Sequence, residues 1–171
     1  MGGAGVEPAD PGQLRKLMAE VFFYHLTRTP LEATLPELLE KSASRGWKAL
    51  VKSGQPDRVS WLDDRLWLGA ENGFLAHGIA GGPHDGDQPV LISTASLAAN
   101  GAAIMLAVDG AEVSMDDAAR FERVCILFDG NDAAALDHAR GQWKALTDAG
   151  CPARYWSQES GNWAEKASKN L

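Results

Sequence analysis

At 171 residues the chain is long enough to bury a proper core and short enough that one domain is the expectation. A net charge of −7 and a pI near 5.0 disfavour direct binding to a phosphate backbone, so contact with DNA is expected only indirectly or through a local basic patch. Two cysteines make no disulfide framework and no apolar run reaches membrane-spanning length, which points to buried thiols and a cytoplasmic protein with no membrane partner.

Residues 1–17, with four Gly and two Pro, read as a flexible N-terminal extension, and Met18 as the native start. Glu20–Leu26 is apolar on both faces, the pattern of a parallel strand covered on both sides. Thr29-Pro30 opens a helix to about Arg45, with Leu31, Leu35, Leu38 and Leu39 inward, Pro36 expected to restart or kink it, and Gly46 as its stop. Trp47–Lys52 reads as a second strand and Asp57–Leu68 as a second helix that ends before Asn72-Gly73. Phe74–His77, Val90–Ser93 and Ile104–Val108 read as strands, and Gly78–Asp87 as a loop.

The last third is the most informative. Val124–Phe128 is an apolar strand; an Asp-Gly-Asn-Asp turn follows, then a helix to Ala149-Gly150 and a further strand, Arg154–Trp156. That order is the unit of a parallel sheet. About seven strands and three principal helices are expected, in a three-layer α/β/α sandwich with a mostly parallel, Rossmann-like sheet. The boundaries are an α/β domain over 18–157 and a polar tail over 158–171.

Such folds often bind nucleotides, but neither GxGxxG after the first strand nor GxxxxGK[ST] is present. His77, His84, Asp85 and Asp87 lie in or beside the Gly-rich loop without the spacing of a helical metal site, so no metal and no cofactor is expected. His25 reads as a hydrogen-bonded core histidine and His138 as a surface residue. Asp109 and Asp129 each end a strand before Gly, where α/β active sites gather but where Asp-Gly is also ordinary turn chemistry. No catalytic constellation emerges. A small hydrolase or nucleotide-dependent enzyme using Asp109, Asp129 and the 78–87 loop remains the competing class.

Two patches are left. On the third helix Leu136, Ala139, Trp143 and Leu146 form the inward stripe, flanked by Arg140 and Lys144 one turn apart, with Asp137 and Asp148 as local acids. The bland reading is a core Trp beside a solvated face. The alternative is a site for a ligand carrying a carboxylate and a phenyl ring, because cations hold the first while the indole buries the second. The second patch pairs Trp67 with Phe74 across a Gly-containing turn, either as core caps or as a protein-binding hot spot.

Several segments together, in order and spacing, resemble the chi subunit of bacterial DNA polymerase III holoenzyme. They are FYHL at Phe23–Leu26, LLEKSASRGWKALV at Leu38–Val51, LDDRLW at Leu62–Trp67, FLAHG at Phe74–Gly78, PVLIS at Pro89–Ser93, FERVCILFDG at Phe121–Gly130, and ARGQWKALTDAG at Ala139–Gly150. The resemblance implies a non-catalytic accessory subunit that joins the clamp loader, usually through the psi subunit, and binds the acidic C-terminal tail of single-stranded DNA-binding protein. It implies Arg140, Trp143 and Lys144 for the tail, and Trp67 and Phe74 for psi or another protein partner. A helicase or repair factor could use the same aromatic surface. Gly73 and Ala76 stand where the family usually has Ser and Pro, and Leu136 where a further basic residue can occur.

Overall fold

A computed structural model describes residues 18–68, 76–158 and 161–171. The expectations for residues 1–17 and for Phe74 lie outside the described residues. In chain order the elements are β1 (Glu20–Leu26), α1 (Leu31–Ser44), β2 (Ala49–Ser53), α2 (Pro56–Leu68), β3 (His77–Ile79), β4 (Val90–Ser93), β5 (Ile104–Val108), α3 (Met115–Arg120), β6 (Arg123–Asp129), α4 (Ala133–Asp148), β7 (Ala153–Ser157) and β8 (Ala164–Lys169). A single 3-10 turn, Asp85–Asp87, lies between β3 and β4.

The strands form one sheet in the order β3-β4-β2-β5-β6-β1-β7-β8. All pairings are parallel except β7 with β8. β1 therefore sits inside the sheet, between β6 and β7, which explains why Val21 and Phe23 are fully buried. Alternation along β1 sends Val21 and Phe23 to one face and Phe22 and Tyr24 to the other. The first face is packed by α3 and α4, the second by α1 and α2, so the core is two apolar layers separated by the sheet. The expected sandwich is present, with one strand and one helix more than the sequence pattern announces.

Local chemistry explains the boundaries. α1 runs unbroken through Pro36 and ends in a Schellman turn: Gly46 takes φ +76°, its N–H donates to Ala43 O, and the Trp47 N–H donates to Ser42 O. The additional helix, α3, is opened by a capping box in which Ser114 Oγ accepts the Asp117 N–H and Asp117 Oδ2 accepts the Ser114 N–H. The additional strand, β8, comes from the segment expected as a tail. Its sequence, AEKASK, carries no apolar alternation because it is a polar edge strand. The ladder to β7 holds it, together with Arg154, which bridges Glu20 on β1 and Glu165 on β8 at 2.7 and 3.0 Å.

Candidate functional site

α4 starts on Asp132, whose carboxylate accepts the N–H groups of Ala134 and Ala135. Ala139, Gln142, Leu146 and Thr147 are the buried positions of this helix, while Leu136 and Trp143 are half-buried at the margin of the core. The buried face is thus rotated toward Gln142, and Trp143 keeps one part of its ring in the core and another at the surface. Its indole meets Phe23 edge-on at 5.2 Å and Tyr155 at 5.9 Å, so the ring is fixed from below by β1 and β7.

Arg140 and Lys144 are both exposed on this helix, one turn apart. Arg140 has no ion-pair partner among the described residues. Lys144 is 2.7 Å from Asp148, and that hydrogen bond raises the lysine's pKa and lowers the carboxylate's. Of the two local acids it is Asp148 that engages a cation, while Asp137 pairs with none among the described residues. The arrangement offers one open guanidinium, one ammonium available by exchange, and an anchored indole between them.

Trp67, on the last turn of α2, is 47% exposed. Its ring lies 4.2 Å from that of His77, the first residue of β3. His77 is in turn held by Asp63 on α2, its Nε2 lying 3.1 Å from both the carbonyl oxygen and the carboxylate Oδ1. His77, expected as the last residue of a strand, is the first residue of β3 and the buried platform under the exposed indole. No local pattern in the sequence connects Asp63 or Trp67 to position 77.

The groups read as possible enzyme chemistry occupy structural roles. Asp109 accepts hydrogen bonds from Ser53 Oγ (3.0 Å) and Arg58 Nε (3.2 Å), which fastens the turn between β2 and α2. Asp129 accepts the Asn131 N–H. Both line a crevice of about 870 Å³ at the C-terminal strand ends, where the chain turns to opposite faces of the sheet. Glu32, Glu112 and Asp132 also line it, against Arg28 and Arg58, an acidic balance unsuited to phosphates. In the 78–87 segment, Gly78 and Ile79 belong to β3, and the Asp85 carboxylate accepts the N–H groups of Gly81 and Gly82. Among the described residues no three His, Cys, Asp or Glu side chains are grouped to hold a metal. His25 is a core histidine as expected: Nδ1 is 2.7 Å from the Tyr155 hydroxyl. His138 is half-buried, its Nε2 3.6 Å from Glu112. No helix among the described residues is long and apolar enough to cross a membrane.

The family model for the DNA polymerase III chi subunit (HolC) matches residues 18–154. The chain belongs to that family. A comparison with curated proteins finds no match. The matched span runs from the residues before β1 into β7, so both the α4 surface and Trp67 lie within it, whereas β8 lies beyond it. As a chi-family protein, the chain is an accessory subunit of DNA polymerase III.

Proposed function

We propose that this chi-family protein tethers the clamp loader to single-stranded DNA-binding protein, taking the acidic C-terminal tail of that protein on α4 and a second protein partner on the end of α2. It does so without an active site of its own. The observation that carries the reading is an exposed Arg140 lacking an ion-pair partner among the described residues, beside an indole anchored on Phe23 and Tyr155. A terminal carboxylate fits the guanidinium fork. A terminal phenyl ring lies against Trp143, and Lys144 exchanges Asp148 for an aspartate of the tail. Because the cations are exposed and the whole protein is acidic, the contact is weak, fast and sensitive to salt. Connection to DNA is then indirect.

The half-exposed Trp67, braced by His77, supports a second docking surface. Phe74 completes it in this reading, for psi, for another part of the clamp loader, or for a helicase or repair factor.

Fluorescence polarisation with a labelled peptide ending Asp-Asp-Ile-Pro-Phe tests the tail reading, against the same peptide lacking its Phe. Binding that requires the Phe and weakens between moderate and high salt is the expected outcome. Arg140→Glu is expected to weaken it roughly tenfold. Equal affinity of wild type and an Arg140→Glu/Lys144→Glu double variant would place the tail elsewhere.

A further inference from the structure

Away from α4, at the end of α1, three cations gather from two elements. Lys41 and Arg45 lie one turn apart on the last turn and C-cap of α1, and Arg123 opens β6. With Tyr24, Ser42 and Trp47 they line a notch of about 90 Å³. We propose that this notch is an oxyanion site for a phosphate monoester.

The charge balance is the first argument. The chain holds 23 acidic and 16 basic residues, and Arg58, Lys144 and Arg154 are each matched to a carboxylate. The side chains of Lys41, Arg45 and Arg123 have no ion-pair or hydrogen-bond partner among the described residues. The C-terminal end of α1 accounts for two of them, since cations there oppose the helix dipole. It does not account for Arg123, which reaches the notch from the start of β6.

Preorganisation is the second argument. The guanidinium carbons of Arg45 and Arg123 lie 5.1 and 5.3 Å from the Trp47 ring centroid, and Arg123 lies 4.4 Å from that of Phe22. Stacking on rings fixes a guanidinium by its faces and leaves its in-plane N–H groups to reach an acceptor. Burial raises the pKa of Tyr24, so its hydroxyl stays neutral beside the cations and does not compete as an anion.

Size and charge select the ligand. The notch is small, with room for an oxyanion group, and the remainder of a larger ligand stays outside it. A monoester dianion offers three oxygens and two charges to three cations, whereas a carboxylate leaves more of that charge unopposed. A phosphodiester backbone brings one charge per unit and meets the repulsion of a protein at −7. A free phosphate ester and the 5′-phosphate of a strand present the same group.

The test is a titration of the full-length ¹⁵N-labelled protein, following the arginine Nε–Hε resonances, with that of Arg123 assigned by its loss in Arg123→Lys. Inorganic phosphate is expected to give a saturable shift that sodium chloride at matched ionic strength does not. Arg45→Gln, at an exposed position, is expected to weaken the response at least about tenfold. A 5′-phosphorylated oligonucleotide binding more tightly than phosphate would make strand ends the source; equal or weaker binding would assign free phosphate esters. No saturable shift with either probe up to about 10 mM would overturn the site. So would an equal response to chloride, to the 5′-hydroxyl oligonucleotide, or in Arg45→Gln.

Discussion

The ammonium of Lys144 and the carboxylate of Asp148 lie 2.7 Å apart with both side chains more than half exposed, so a ligand carboxylate must displace a neighbour already in place. Exposed pairs of this kind are weak, and the displacement is correspondingly small. Asp148→Asn removes the competitor and one negative charge, and is expected to tighten the tail peptide roughly two- to threefold, read by polarisation at moderate salt. An unchanged affinity would mean that Lys144 takes no part. Gly130 is a residue-scale constraint of another kind. Its N–H donates to Leu26 O at 2.7 Å, and a Cβ there would fall on the ring of His25. That ring cannot yield freely, because Tyr155 holds Nδ1 and Phe128 packs at 5.2 Å. Gly130→Ala is therefore expected to lower stability by about 2–4 kcal/mol in urea unfolding. Tyr155 also supports Trp143, so tail affinity should fall with it.

At the scale of elements, α4 carries a glycine that nothing requires. Gly141 has no heavy atom within 4 Å of where a Cβ would stand, and its exposed position in the helix interior loses backbone entropy on folding. Gly141→Ala should stabilise the protein by about 0.5–1 kcal/mol, seen as a higher urea midpoint at constant slope; a lower midpoint would mean that the surface needs the flexibility. The elements that were legible in the sequence are those whose own residues determine them. β1, β5 and β6 are built on the apolar runs Val21–Tyr24, Ile104–Val108 and Val124–Phe128, and Gly46 stops α1 with a positive φ. α3 is six residues long and closes its capping box with Asp117 in place of the usual Glu or Gln, so periodicity had too little length to register. β8 is polar and exists through its partner strand. The spacing of Arg140 and Lys144 was readable at i,i+4, but not which of Asp137 and Asp148 would engage a cation. The setting of Trp67 depends on His77, brought beside it by the packing of β3 against α2, and no local pattern encodes that contact.

Across the whole molecule the proposed contacts sit on the perimeter, while the sheet beneath is apolar on both faces, and its two thiols report on how dry that interior is. Burial pushes Cys125 from about 9 up to about 12, with Arg123 opposing weakly, and pushes Cys151 up to about 11. Each thiol is thus a weaker acid folded than unfolded. Below the unfolded value both states hold the proton and stability is indifferent to pH. Above it the unfolded chain releases a proton that the native state keeps, so stability falls as pH rises until the folded value is reached. Each thiol should contribute a loss of about 1.4 kcal/mol per pH unit in that window. Other groups also titrate there, so the comparison that isolates Cys125 is with Cys125→Ala. The variant should be less stable at neutral pH because of the cavity it leaves, yet decline more slowly between pH 9 and about 11, its curve approaching that of the parent. Parallel curves would mean that water reaches β6 and that the two apolar layers do not seal the sheet.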